Sequence, residues 1–326
     1  MKITIEKART LSIKILRDLG LSEEESLFVT ENLIQAELCG KKTHGLVRLN
    51  WFMKRCKNYK KSTDKLNIIN QTNTSLHIDG KEHFAMPIIY KSLEKAFQIV
   101  KQSKVVCVGI KDTDVSGFLG DYARIVTEKN LIFIGFFNSQ AQVIPHGSKQ
   151  KLWGTDPLTV GIPTNNLPVI LDMASSKITW GGLLVAQAEG KKIEKGLGLD
   201  KEGNPTTNPH DIIDEGGLFP FFGHKGSGLA FIVELLAGAL TGSMIGHHHQ
   251  GGCGSFYILI DPTLFRPLND FKKDVEKAIN SLKNSPRIDE NKEIFFAGER
   301  SQALRKKHLK EGSFEINESL QKLFEM

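Results

Sequence analysis

Cysteine is scarce in this 326-residue chain, which has four: Cys39, Cys56, Cys107 and Cys253. No two form a C-x-x-C pair. That argues against a dithiol motif and a disulfide framework, and fits reduced thiols in a cytoplasmic protein. Long hydrophobic runs are also missing. The longest, residues 228–240, carries Glu234 and is too short to cross a bilayer, so no membrane contact is expected. The opening Met1-Lys2-Ile3-Thr4-Ile5-Glu6 lacks a signal-peptide apolar stretch. Neither charge sign dominates: 43 basic against 37 acidic side chains leave +6. The basic runs Lys60-Lys61 and Arg305-Lys306-Lys307 have no interleaved aromatic module, so they read as solvated helix faces and nucleic acid is not an expected partner. A mild positive excess favours anionic substrates by steering.

Several motifs are absent. No G-x-G-x-x-G lies between a strand and a helix, and Gly117-Phe118-Leu119-Gly120 has the wrong spacing, so the Rossmann fingerprint is missing. There is no P-loop, no G-x-S-x-G and no H-E-x-x-H. His247-His248-His249 cannot all face one ion from a regular strand or helix. With Gln250-Gly251-Gly252 following, the run reads as a surface loop, and no metal is expected.

What remains is an ordinary globular composition, 40% hydrophobic and 25% charged, long enough for two domains or one composite domain. Ser22-Glu23-Glu24-Glu25 is a capping box that starts a helix. Apolar spacing predicts helices over 44–57, 84–102, 119–129, 177–189, 226–241, 270–282, 300–309 and 318–324. Strands are predicted over 68–78, 105–110, 131–137, 158–162, 168–171 and 256–260. Short connections between several strands favour antiparallel pairing. The fold class is therefore α/β with an α+β character. Helices from both termini (1–75 and 265–326) form one unit around a central α/β domain (76–264).

The chemistry centres on Thr43-His44-Gly45-Leu46-Val47-Arg48. On a helix, residues four apart share a face. Histidine passes protons near neutral pH, and an arginine fork grips a carboxylate. The pair suggests a site for a small acid that gains or loses a proton, although a structural histidine is the ordinary alternative. Asp172-Met173-Ala174-Ser175-Ser176 joins a strand to a helix, where Ser175 or Ser176 is a natural cap and bare amides suit a phosphate. Gly223-His224-Lys225-Gly226-Ser227-Gly228 is either a tight turn or an anion cradle. Gly154-Thr155-Asp156-Pro157, the Asn204–Pro209 loop and Gly298-Glu299-Arg300 read as turns.

Taken in order, these segments resemble the type-2 malate/L-lactate dehydrogenase family. The matching pieces are Thr43 to Arg48, Leu152 to Pro157, Leu171 to Ser176, Asp200 to Pro209, Gly223 to Ala230 and Ala297 to Glu299. The resemblance implies a non-Rossmann nicotinamide-binding domain with a mainly antiparallel sheet, a homodimer, and hydride transfer between NAD or NADP and a small 2-hydroxy or 2-keto acid. His44 is then the catalytic proton carrier, and Arg48 with Thr43 binds the substrate. Asp172, Met173, Ala174, Ser175, Ser176, Lys177, Ile178, His224, Lys225, Gly298, Glu299 and Arg300 line the cofactor. Two departures stand out. Val115 occupies the place of a family histidine and cannot carry a proton. His83-Phe84-Ala85-Met86 replaces a glycine-rich segment. Two further readings follow: a catalytically weak relative that still binds a dinucleotide or small acid, and a cyclic imino acid reductase.

Overall fold

The structure is a computed structural model and describes residues 2–56, 65–246 and 251–325. The triple histidine at 247–249 and Lys60-Lys61 lie outside the described residues. Elements are numbered in chain order.

The two ends of the chain fold together. Strand β1 (Lys2–Thr4) pairs antiparallel with β11 (Ser313–Glu315), placing Ile3 opposite Phe314. Helices α1 (Ile5–Asp18), α2 (Glu23–Leu38), α3 (Leu49–Arg55) and α11 (Glu318–Glu325) close over this ribbon. Their apolar stripes bury Leu16, Leu33, Phe52, Leu320 and Leu323 in one cluster. The capping box holds: the Glu25 amide donates to Ser22 Oγ at 3.2 Å and the Ser22 amide to the Glu25 carboxylate at 3.0 Å. Helix α10 (Glu299–Glu311) lies on α2, with Arg305 Nε donating to Gln35 Oε1 at 2.7 Å.

The middle of the chain builds a seven-stranded sheet from β2 (Asn67–Gln71), β3 (Ser75–His83), β4 (Val105–Thr113), β5 (Ile132–Phe137), β6 (Leu158–Ile162), β7 (Val169–Met173) and β10 (Cys253–Ile260). The spatial order is β2-β3-β4-β10-β5-β6-β7. Among the described residues, β3 with β4 is the parallel pair in this sheet, and the other neighbours run antiparallel. The exception follows from connection length: helix α4 (Ala85–Ser103) supplies the crossover that a parallel pair needs. Helices α4 and α5 (Leu119–Glu128) cover one face. Leu93, Tyr122 and Val126 meet Val108, Phe133 and Leu259 there. The opposite face is less covered. Phe136 and Phe256 stack across β5 and β10 with ring centres 6.3 Å apart and remain half-buried.

A smaller unit of α6 (Trp180–Ala188), α7 (Pro209–Asp214) and the two-stranded pair β8 (Gly198–Leu199) and β9 (Gly217–Leu218) packs around Val143, Leu183, Ile212 and Leu218. Helix α8 (His224–Val233) continues into a π-helical stretch, Glu234–Ala239. Helix α9 (Leu268–Lys283) has no buried residue.

Three expected helices differ in detail. The 44–57 helix is instead two 3-10 turns, Lys42–His44 and Leu46–Arg48, followed by α3. Gly45 is extended between them, at φ −87 and ψ −151. The Glu37 carboxylate fills the space beside it, where a Cβ would lie 2.2 Å from Oε1. The 177–189 helix starts later, at Trp180, because residues 175–177 run extended beside 219–221: the Lys177 amide donates to Phe219 O and the Phe221 amide to Ser175 O, both at 2.9 Å. The 226–241 helix gains its π turn, in which the Leu240 amide reaches Leu235 O at 2.9 Å. Phe52 is fully buried against Phe84 and Trp51 in the terminal cluster. Phe52→Ala is expected to cost about 3–5 kcal/mol of unfolding free energy, read from urea denaturation.

Candidate active site

The 3-10 geometry brings His44 and Arg48 together by another route than a shared helix face. Arg48 Nε donates to the Thr43 carbonyl at 2.8 Å, folding the guanidinium back over the turn. Thr43 Oγ1 sits 3.1 Å from His44 Nδ1, which orients the imidazole. Thr43 in turn packs against the start of α6, where a Cβ on Gly181 would come within 2.7 Å of its own Cβ. Burial, then the positive charges of Arg48 and Lys41, push His44 down to about 4, so the ring is neutral at neutral pH. Burial also lowers the Arg48 pKa. Among the described residues no carboxylate pairs with Arg48.

Below this turn lies a residue that the sequence reading missed. Glu37 accepts the Leu46 amide at 2.9 Å, and burial raises its carboxyl to about 7 despite that bond and the nearby charge of Lys42. Its signal was available: a carboxylate flanked by Ala36 and Leu38 on the inner side of α2. Asn32, also fully buried on α2, clasps the loop after β4. It donates to Phe118 O at 3.1 Å and accepts the Phe118 amide at 2.7 Å.

Asp172 ends β7. Its carboxylate accepts the Gly120 amide at 2.9 Å and Thr159 Oγ1 at 3.3 Å, and burial raises its pKa although Lys41 and these donors oppose the shift. Lys41 thus acts on both His44 and Asp172.

Met173 and Ala174 are half-buried, whereas Ser175 and Ser176 are buried. The two serines do not cap a helix. Ser175 Oγ donates to Thr155 O at 2.9 Å and Ser176 Oγ to Ile178 O at 2.7 Å. The cap is Thr179, whose Oγ1 accepts the Gly182 amide at 3.1 Å. Lys177 donates to Gly196 O at 2.9 Å, and Ile178 packs at the edge of the small α6–α7 cluster.

The bond from Phe221 to Ser175 brings His224 and Lys225 beside this segment. The glycine turn is a tight one: a Cβ on Gly226 would lie 2.4 Å from Phe221 O. The Lys225 and Gly226 amides bond Phe222 O and Phe221 O. Any anion there meets the exposed side chains of His224 and Lys225 more than bare amides. Gly298, Glu299 and Arg300 sit elsewhere, against the flank of β7: the Ile170 amide donates to Ala297 O at 2.9 Å. Glu299 pairs with Lys283 at 2.7 Å, and Arg300 lies over the Phe295 ring. An open cavity of about 660 Å³ lies beside Gln140 and Met244, with Lys149, Lys151 and Lys201 on its walls; none of the sequence-predicted site residues lines it.

A family model described as malate/L-lactate dehydrogenase matches residues 3–324. The chain belongs to the malate/L-lactate dehydrogenase family. A malate/(S)-sulfolactate dehydrogenase of Methanothermus fervidus is 32% identical over 321 residues, covering 96% of this chain and 93% of that one. A Delta(1)-pyrroline-2-carboxylate/Delta(1)-piperideine-2-carboxylate reductase of Pseudomonas syringae pv. tomato is 30% identical, covering 74% of each. The solved sulfolactate dehydrogenase of Methanocaldococcus jannaschii superposes with a TM-score of 0.88 at 28% identity, covering 99% of this chain and 95% of that one.

In this malate/L-lactate dehydrogenase family chain, the two departures have different settings. Val115 is partly exposed on the loop after β4. Met86 is buried in the terminal cluster and lies under Gly117, where a Cβ would be 2.9 Å from its methyl carbon. It is therefore a packing residue for that loop.

Glu37 gives the site a pH signature. Its raised pKa means that its share of stability is complete below about 4.5 and is lost as pH rises through about 7. Glu37→Gln keeps an acceptor for Leu46 and cannot ionise. Relative to that variant, the wild type is expected to lose on the order of 3 kcal/mol across this window, measured as urea midpoints at successive pH values.

Proposed function

We propose that this protein is an NAD(P)-dependent oxidoreductase that transfers a hydride between a nicotinamide cofactor and a small 2-hydroxy or 2-keto acid. Arg48 carries the reading: a half-buried guanidinium without a carboxylate partner among the described residues, beside a neutral histidine. Burying a cation unpaired is costly, and an incoming carboxylate removes that cost. With Nε held by Thr43 O, the two Nη groups are left to form a fork for the acid.

The bound cofactor supplies or accepts the hydride. His44 handles the proton. In oxidation, the neutral imidazole takes the hydroxyl proton. In reduction, it must first be protonated. A substrate carboxylate on Arg48 offsets the charge that holds the His44 pKa down, so binding itself favours the proton donor form. Lys41 adds positive charge next to this exchange.

The residues fit a dinucleotide. Exposed His224 and Lys225 have no ion pair among the described residues and adjoin the Asp172–Ile178 segment, giving the phosphates the Lys225 cation and a hydrogen-bonding imidazole. We read this as a non-Rossmann site, because the sheet is largely antiparallel and the glycine fingerprint is missing. We read the terminal helices (1–75 and 265–326) as the substrate and dimer side, and residues 76–264 as the cofactor side. Exposed Phe231, Ile232, Leu235 and Leu240 on α8 and its continuation, near the half-covered sheet face, support a homodimer. Unpaired thiols support a cytoplasmic setting.

The reductase relative favours a second reading, in which the acceptor is the C=N bond of a cyclic imino acid. Assaying cyclic imino acids and 2-keto acids side by side, with NADH and NADPH, divides the two. Silence across the whole panel sinks both, and tight dinucleotide binding without turnover in calorimetry marks a catalytically weak relative. In the active case, His44→Ala is expected to lower kcat by about 10²–10⁴-fold. Arg48→Met is expected to raise KM. It should also move the acid limb of kcat/KM upward, toward the ordinary histidine value, because a neighbouring cation is gone.

A further inference from the structure

Two fully buried carboxyls meet beneath the segments that the reading above assigns to the cofactor. Asp156 precedes β6, and Glu234 opens the π-helical stretch; both are 0% exposed. Asp156 Oδ1 accepts the Ser139 amide at 3.1 Å. Its Oδ2 is buried without a hydrogen-bond partner among the described residues, and Gly154 lies between the two carboxyls, where a Cβ would lie 2.3 Å from Asp156 Oδ1. Glu234 Oε2 accepts Asn138 Nδ2 at 3.1 Å and the Gly246 amide at 3.0 Å, and Oε1 lies 3.5 Å from the Gly154 amide. Two ionised carboxylates are acceptors only and repel each other. A single proton between them turns Oδ2 into a donor.

We propose that Asp156 and Glu234 share one proton and form a positioning pair for the dinucleotide-binding segments, a role that rests on the oxidoreductase reading. The connections are direct. Ser139, held by Asp156, accepts the Thr155 amide on its Oγ at 3.1 Å. Thr155 O accepts both the amide and the hydroxyl of Ser175, at 2.8 and 2.9 Å. Ser175 O accepts the Phe221 amide, just before His224 and Lys225. Glu234 ends the same helix ten residues on, and Asn138 ties it to β10 by accepting the Gly254 amide at 2.7 Å. The pair therefore closes a loop through both cofactor segments.

The surroundings keep the proton in place. Burial, then the charge of Glu234, raises the Asp156 carboxyl well above the ordinary carboxylate range. From β10 the pair faces Cys253, a thiol that burial and the charges of Asp114, Asp156 and Glu234 push up to about 12, so it stays neutral. No cation is among the groups acting on Asp156. Asp156 also has φ +35, a backbone region that asparagine shares at low cost, which makes Asp156→Asn a conservative probe.

A raised folded-state pKa means that the folded chain holds a proton the unfolded chain releases. The folding constant therefore falls as pH rises above the ordinary carboxylate range, by about tenfold per pH unit for one proton. Asp156→Asn supplies a permanent N–H in the proton's place. Above the ordinary carboxylate range, wild-type stability is expected to fall with that extra slope relative to Asp156→Asn. The wild-type-minus-variant infrared spectrum at neutral pH should carry the carbonyl band of a protonated carboxyl. Glu234→Gln, which removes the charge that holds the proton, should flatten the slope as well. Asp156→Leu should weaken NADH and NADPH binding by about tenfold or more, a loss that Asp156→Asn largely recovers. Parallel stability slopes in wild type and both amide variants overturn the shared proton. Unchanged dinucleotide affinity in Asp156→Leu overturns the positioning role. A wild type that binds neither NADH nor NADPH overturns the oxidoreductase reading instead, and the slope comparison still judges the proton.

Discussion

Strand β10 fills the gap between β4 and β5, two strands that do not pair with each other, by pairing antiparallel with each. Phe256 stands opposite Gly109 on one side and Phe136 on the other. This arrangement decides where everything else meets. It brings the end of β4, the end of β5 and the start of β10 to one edge of the sheet. The loops at 113–118, 138–140 and 251–252 converge there. The β6–β7 hairpin adds Asp156 and Asp172 to the same edge. The terminal helices then reach it through the two bonds from Asn32 to Phe118. Without the late return of β10, the strand ends would have no common side.

Charge is arranged unevenly around that edge. Arg48 is half-buried without a carboxylate among the described residues, and Lys41 and Lys225 are exposed. The carboxyls close by are held toward their neutral forms: Glu37, Asp172 and Asp156 all have raised pKa values, chiefly from burial. Bare cations and reluctant anions together give a positive local field, out of proportion to a net charge of +6 on the whole chain. A small organic acid and a phosphate-bearing cofactor are drawn by that same field.

Much of this was legible in the sequence, for identifiable reasons. Strands such as Leu158–Ile162 are short apolar runs between turns, and their register needs only the ladder. The capping box at Ser22 is local chemistry and folded as written. His44 and Arg48 stood out by type and spacing. Their geometry did not, because Gly45 is bent away from the helical path by Glu37, a residue on another element. Ser175 and Ser176 looked like caps, but the Ser175 hydroxyl is engaged by Thr155 O, a carbonyl that the tertiary fold delivers, and the Ser176 hydroxyl turns to Ile178 O two residues on. Glu234 was visible as a lone charge in an apolar run. Its meaning required Asp156, seventy-eight positions earlier in the chain.

The pairing of the two chain ends has a consequence during synthesis. Ile3 waits for Phe314, and α2 waits for Arg305 and His308 on α10. At a ribosomal rate of about 5–20 residues per second, those partners arrive on the order of fifteen to sixty seconds after the segments they cover. Through that interval α1 and α2 lack the part of their cover that Phe314, Leu320 and Leu323 supply. The Thr43–Arg48 turn, resting on α2, is correspondingly among the last parts of the nascent molecule to be fixed. A ribosome pausing late in the message would prolong that exposure at the segment proposed to bind the acid.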